Sequence, residues 1–295
     1  MLKSTTLIFI LFLSMNTFAS KKLPILKNVY ITMINPIKSK QSGTITTTKI
    51  AVHTLYEGDN YTACVTPLRQ FYIFPKSKNS DPINLGSPME LAIHERYFKN
   101  KRQAIRRKII SLEASAPSKN PESLTITSTL EEGAIHTLNI IFTPNSIEIS
   151  NSVQDPTDLK PMTIASSTLR IPSATLQHEN MNWESTKKAL GKSSLQVKSP
   201  KIIKIPYTKD NPKLGVGTEF ELKNYWSGRK IMIETIRGER TRPDLTLLVY
   251  GKIAPALNGF QFLLNPNLGD KITDSQNSIR KSDVLHPATI KITID

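Results

Sequence analysis

Short runs of Ile, Val, Thr, Tyr and Phe, cut at close intervals by turn-forming residues, constrain the fold of this chain more than any other feature. In the first half they are Asn28–Ile34, Thr44–Leu55, Tyr61–Val65, Phe71–Phe74, Leu124–Ser128, Ile135–Phe142 and Ser146–Ser150. β-branched and aromatic side chains suit a pleated, half-buried surface, so runs of this length and content predict strands. Turn signals divide them: Glu57-Gly58-Asp59-Asn60, the polar stretch from Lys76 to Pro82, Glu132-Gly133 and Pro144-Asn145. Alternation is clearest around residue 50, where Ile50 and Val52 share one face and Lys49, Ala51 and His53 the other. A second series follows in Lys201–Ile205, Thr218–Trp226, Lys230–Ile236, Leu245–Ile253, Phe260–Leu264 and Ala288–Ile294. Many short strands with few helical stretches between them predict antiparallel sheets packed face to face.

Between the two series, residues 151–200 carry prolines at 156, 161 and 172 and many Ser and Thr. This composition predicts a linker. One short helix is expected over Met181–Leu190, where Trp183, Lys187 and Leu190 are spaced near i, i+4 and i+7 and Gly191 follows as a cap. The expected fold class is therefore mainly β: two β-sandwich-like domains, 21–150 and 201–295, joined by a Pro/Ser/Thr-rich linker with one short helix. A single larger sandwich is the alternative.

Residues 1–20 read as an export signal. Lys3 precedes an apolar run from Leu7 to Leu13, and Thr17-Phe18-Ala19 offers small residues at a cleavage point. The run is far short of the ~20 residues that a spanning helix needs. The expected location is the periplasm, free or associated with the outer membrane, with no transmembrane segment after cleavage. The chain has 39 Lys and Arg against 24 Asp and Glu, a net charge of +15, and the signal removes only Lys3, leaving +14. Export makes chromosomal DNA an unsuitable partner for this charge, and no nucleic-acid-reading motif accompanies it.

Motif chemistry is sparse. The single cysteine, Cys64, excludes an intrachain disulfide, and its place in Tyr61–Val65 predicts a buried strand residue. The histidines at 53, 94, 136, 178 and 286 show no closely spaced pair, so no metal is expected. There is no GxSxG elbow, and Gly215-Val216-Gly217 lacks the Gly-Lys-Ser/Thr of a phosphate loop. Glu131-Glu132 fits a charged hairpin turn rather than a pair of carboxylates flanking a scissile bond. These absences predict no catalytic residues, no cofactor and no enzyme activity. Asn60-Tyr61-Thr62 is a glycosylation sequon with no other support.

The strongest electrostatic signal is Arg96–Lys108, which holds Arg96, Lys99, Lys101, Arg102, Arg106, Arg107 and Lys108. These seven are the candidate partner- or anion-binding residues. Phe98, Ile105, Ile109 and Leu112 recur at helical intervals, whereas Ile105, Arg107 and Ile109 would share a strand face, so periodicity leaves helix and strand both open. Tyr225 and Trp226 are the candidate aromatic anchors of an interface.

The order of elements across residues 44–150 resembles the N-terminal β-sandwich of the TraK-like, secretin-associated ring subunits of type IV secretion and conjugation machines. The matching pieces are Tyr61–Val65, Phe71-Tyr72-Ile73-Phe74-Pro75, Ile83-Asn84-Leu85-Gly86, Asn120–Ser128 and Ile135–Phe142. The long basic insertion and His136-Thr137-Leu138, where an aromatic is usual, depart from that pattern. The resemblance implies a non-enzymatic periplasmic assembly component binding secretin-like or lipoprotein-like subunits, with a homo-oligomeric ring as one arrangement. The alternative expectation is a periplasmic pilus chaperone or a secreted adhesin that binds an anionic polymer.

Overall fold

The computed structural model describes residues 21–34, 47–76, 88–100, 103–159, 161–172, 194–198, 213–217, 219–225, 229–236, 247–254, 257–264 and 289–295. The first strands in chain order are β1 (Tyr30–Ile34), β2 (Thr47–Ala51), β3 (Thr54–Glu57), β4 (Tyr61–Val65), β5 (Phe71–Pro75), β6 (Met89–Asn100) and β7 (Gln103–Arg106). There follow β8 (Ile109–Ala114), β9 (Ser118–Lys119), β10 (Ser123–Leu130), β11 (Ile135–Phe142), β12 (Ser146–Gln154), β13 (Ile164–Pro172) and β14 (Ser194–Lys198). The last are β15 (Lys213–Gly217), β16 (Glu219–Tyr225), β17 (Arg229–Ile236), β18 (Leu247–Ala254), β19 (Leu257–Leu264) and β20 (Thr289–Ile294). A 3-10 turn, Glu131–Gly133, joins β10 to β11 where a charged hairpin turn is expected. The fold is mainly β and sandwich-like, as the pattern of short runs predicts.

Two large sheets carry it. One has the order β14-β16-β17-β20-β12-β11-β10-β8, and the other β15-β18-β19-β13-β6-β5-β4-β3-β9 with β7 attached to β6. Burial alternates residue by residue: on β10 Leu124, Ile126, Ser128 and Leu130 turn inward, on β11 His136, Leu138, Ile140 and Phe142, and on β20 Ile290, Ile292 and Ile294. Facing them from the other sheet are Tyr61, Ala63, Val65, Phe71, Ile73, Met89, Leu91, Ile93, Leu169 and Ile171, in one continuous core. The Tyr61 hydroxyl donates to the carbonyls of Thr143 (2.7 Å) and Ser146 (3.0 Å), so its one polar atom in the core is satisfied.

The sheets run through both series of strands. β20, at the chain's end, lies between β12 and β17, and β13, inside the stretch that reads as a linker, lies between β6 and β19. Prolines at 156 and 161 precede β13, and Pro172 is its last residue, so these prolines bound a strand. The expected helix Met181–Leu190 and the export signal 1–20 lie outside the described residues. Within 96–108 the structure resolves the ambiguity as a hairpin, with β6 and β7 antiparallel. Among the described residues no helix is long and apolar enough to cross a membrane.

Against the outer face of the second sheet, Ile31 and Val52 close over Leu55, Cys64 and Tyr72 in a smaller apolar cluster. Burial pushes the Cys64 thiol up to about 12, so it is a protonated, inert packing group. The sequon asparagine is also engaged: Asn60 Nδ2 donates to the Ile294 carbonyl (2.7 Å), and its Oδ1 accepts from Arg229 Nη1 (2.7 Å). Beside it, a Cβ on Gly58 would meet the Pro144 carbonyl oxygen at 2.6 Å, so only glycine fits this close approach.

Two outcomes follow. In the native protein Cys64 will not react with a thiol reagent and will react at once in denaturant. Ile292→Ala, in the strand that bridges the two series, should cost about 2–5 kcal/mol in urea unfolding. The loss should appear in one transition for the whole chain, and a separate early transition of the C-terminal strands would show that they form their own cooperative unit.

Candidate functional site

Strand β6 divides the polar chemistry of the molecule between its two faces. Along Met89–Tyr97 the side chains of Met89, Leu91, Ile93 and Glu95 turn into the sandwich, and those of Glu90, Ala92, His94 and Arg96 turn outward.

The inner position, Glu95, is fully buried and would be untenable alone, because a desolvated carboxylate needs a counter-charge. Arg69 supplies it from the turn between β4 and β5, pairing with Oε1 through Nη1. The same nitrogen reaches Ser128 Oγ at 2.8 Å, and His136 Nδ1 lies 3.0 Å from Glu95 Oε1. The network continues from His136 Nε2 to Asn151 Oδ1 (3.0 Å), and from Asn151 Nδ2 to Ser167 Oγ (2.5 Å). Burial by itself raises the Glu95 carboxyl, but hydrogen bonds from His136 and Arg69 and the Arg69 charge outweigh it and hold the group below the usual carboxylate range. Glu95 and His136 are both fully buried, so the cluster is an internal tie between the sheets with no face open to a substrate.

The outer face carries a different set. Register places Ser166 opposite His94, Thr168 opposite Ala92, Arg170 opposite Glu90 and, on the β7 side, Arg106 opposite Arg96. Directly opposed residues share a face, so this strip brings together three guanidiniums, an imidazole and the buried hydroxyls of Ser166 and Thr168. His94 is half-buried, and burial lowers its proton affinity. The charges of Arg106, Arg96 and Arg170 lower it further, against a smaller opposing effect of Glu95. Arg170 Nη1 pairs with Glu90 Oε2 at 3.1 Å, while its Nε is buried with no hydrogen-bond partner. Ser166, 1% exposed, likewise has no partner for its Oγ. Buried donors without partners are rare in native proteins.

The seven predicted cations are thus separated. Arg96 and Arg106 meet across the hairpin, Lys99 and Lys108 are exposed, and Lys101 and Arg102 lie outside the described residues. Arg107 is no surface contact at all: it is 1% exposed. Its Nε donates to Thr163 Oγ1 (2.6 Å), its Nη2 to the Pro161 carbonyl (2.6 Å), its Nη1 pairs with Glu132, and the guanidinium lies 4.6 Å from the Tyr97 ring centre. The physical reason is position: Arg107 follows β7, and its N–H bonds the Glu95 carbonyl, which draws it back over the sheet. Tyr225 ends β16 in the other sheet, and Trp226 lies outside the described residues, so the structure does not join this pair to the cations.

His94 and Arg170 are the members that motif reading misses. Period-2 counting could have found them, since Glu90, His94 and Arg96 share one parity and Arg170 interrupts the apolar Leu169 and Ile171. Among the described residues no group of three or more His, Cys, Asp or Glu is placed to hold a metal ion.

No family model and no curated protein matches the chain. Solved structures do align with most of its length. An Escherichia coli K12 protein described as a "putative aldose 1-epimerase" matches with a TM-score of 0.46 at 7% identity, over 82% of this chain and 98% of its own. The Slr1438 protein of Synechocystis sp. PCC 6803 matches with a TM-score of 0.46 at 10% identity, over 80% of this chain and 92% of its own. Two expectations find no support in these matches and are not carried further: that the chain is a non-enzymatic envelope component (secretion or conjugation subunit, chaperone or adhesin), and that it is not an enzyme. One aligned protein is described as an enzyme, and neither as any such component.

The inner tie makes a sharp test. Glu95→Gln leaves the Arg69 charge buried without its counterion and should cost about 3–5 kcal/mol at neutral pH. Because the folded carboxyl binds its proton more weakly than the unfolded one, wild-type stability should fall as pH drops through and below the ordinary carboxylate range. Urea titrations from pH 6 to pH 3 should show that part of the acid sensitivity missing in the variant. Equal acid slopes would mean that Glu95 does not carry it.

Proposed function

We propose that the protein binds a small anionic ligand on the outer face of the second sheet, along the strip formed by β6, β7 and β13. The observation that carries this reading is the strand register, which sets Arg96, Arg106 and Arg170 on the same outer face as His94. Exposed cations normally stand apart in water, where they cost little. Here Arg96, Arg170 and His94 are half-buried, and burial lowers the proton affinity of both Arg96 and His94.

Two further features support it. Ser166 Oγ and Arg170 Nε are buried without partners on this same strip, ready to donate to a ligand oxygen. Glu90 is the one carboxylate that the described residues of β5, β6, β7 and β13 turn to this face, and it is held by Arg170. Guanidinium groups suit carboxylate, sulfate and phosphate oxygens because their N–H bonds are fixed in a planar fork.

The Ser166/His94 row and the Arg170/Glu90 row are four residues apart, about 13 Å along the strand at ~3.3 Å per residue. Ala92 and Thr168 lie between them. The ligand is therefore anchored at the His94 end by its anionic group and extends toward Arg170. Basic residues alone would attract any anion weakly, whereas buried donors confer a preference for one that hydrogen-bonds.

Isothermal titration with sulfate, acetate and neutral glycerol tests this at constant ionic strength. Binding of the anions and not of glycerol is expected. A charge-assisted hydrogen bond contributes ~1.5–3 kcal/mol, so Arg106→Ala should weaken anion binding by about 10-fold or more, and Arg170→Met, at the far end of the strip, by less. Affinities unchanged in both variants would overturn the reading.

A further inference from the structure

We infer that ligand and proton bind together at this strip: as an anion settles beside His94 and Arg106, His94 takes up a proton, so that affinity rises as pH falls. This rests on the anion-binding reading above and adds the means by which the site is regulated.

The geometry supplies the coupling. His94 stands in the middle of the strip, with Ser166 opposite on β13, Arg96 two residues further along its own strand, and Arg106 beyond that across the hairpin. From β13 the facing charge is Arg170, from β6 the facing charges are Arg96 and Glu90, and from β7 it is Arg106. On β5 the titratable group of this face is Tyr72, opposite Glu90, and burial pushes its hydroxyl up to about 12, so it keeps its proton throughout the relevant range. Glu95 belongs to the inner face, paired with Arg69 and His136.

In the free protein, burial and three guanidiniums disfavour a cationic imidazole. An incoming anion opposes the guanidinium part of this effect, while the larger effect of burial remains. A negative charge within ~4–6 Å favours the protonated form, and the anion brings this charge to the face that the guanidiniums dominate. The imidazolium then donates to an anion oxygen, which the neutral ring does only from one nitrogen. By linkage the effect is reciprocal: if the anion raises the proton affinity of His94, the proton raises the anion affinity by the same factor. No proton comes from the ligand, provided the ligand is already fully ionised. The proton enters from solvent and resides on the imidazole.

Sulfate is the suitable probe, because it does not titrate between pH 5 and pH 8. Sulfate titrations in buffers of different ionisation enthalpy should show net uptake of a fraction of a proton near pH 7, approaching one as the free ring titrates less than the bound one. The sulfate affinity should rise several-fold for each pH unit lost between pH 8 and pH 6. His94→Gln should abolish both the uptake and this pH dependence, leaving a weaker sulfate affinity that is the same at pH 6 and pH 8. Should that variant fold poorly, the His94 ring proton resonance of the wild type gives the same answer, since its titration midpoint should move up when sulfate is added. Sulfate binding with no proton uptake and an unmoved His94 midpoint overturns the proton coupling and leaves the anion site standing. Absence of sulfate and acetate binding at every pH overturns both.

Discussion

The ion pair between Arg69 and Glu95 is the constraint on which the rest of the molecule depends. It stands inside an otherwise apolar sandwich, where neither charge could be buried without the other. Its extension through Ser128, His136, Asn151 and Ser167 ties β6 and β13 of one sheet to β10, β11 and β12 of the other. It also fixes register. A slip of one residue in β6 would turn Glu95 outward and His94 into the core, exchanging an ion-paired carboxylate for an unpartnered imidazole. The outer strip is thus the necessary consequence of the inner tie, since Glu95 inside means Glu90, His94 and Arg96 outside.

The same device occurs twice. Arg69 has φ 60 and Glu132 has φ 62, left-handed positions at which turns usually place glycine or asparagine. Each carries a long charged side chain to a buried partner, Arg69 to Glu95 and Glu132 to Arg107. Backbone strain of this kind costs ~1–3 kcal/mol and persists only where the surroundings over-determine it. Here the surroundings do so in electrostatic terms, because relaxing either turn would leave a charge stranded in the interior. Turn conformation and core electrostatics are therefore one feature of this fold. The cluster around Arg107 also anchors Thr163 and Pro161 just before β13, which delivers Ser166 and Arg170 to the outer strip.

Much of the architecture is legible in the sequence because strand burial is a period-2 property. Ile290, Ile292 and Ile294 announce an inward face, as do Leu124, Ile126 and Leu130. The turn at Glu131-Glu132-Gly133 and the burial of Cys64 are equally local. The stretch 151–200 is less legible, since prolines that bound a strand look the same in sequence as prolines that open a linker, and the pairing of β13 with β6 and β19 is a long-range fact. The basic stretch misleads for a related reason. Seven cations in thirteen positions look like one patch, but a strand distributes neighbours to opposite sides and a hairpin folds them back, so Arg107 enters the interior while Arg96 and Arg106 meet. Arg69 carries no signal of its own in Thr66-Pro67-Leu68-Arg69-Gln70, because its partner is 26 residues away.

The two faces of β6 also communicate electrostatically. Glu95 is the neighbour of His94 in the chain, and its carboxylate favours a proton on that ring, yet this is the smallest of the influences on it. The reason lies on the inner face. Arg69 pairs with Glu95 and His136 stands against the same oxygen, so much of the negative charge is cancelled before it reaches across the sheet. With that contribution small, burial first and then the outer guanidiniums decide the protonation of His94. The anion response proposed for His94 on the outside thus goes with a closed, internally compensated ion pair on the inside, and the turn that strains Arg69 into place shapes the outer strip as well as the core.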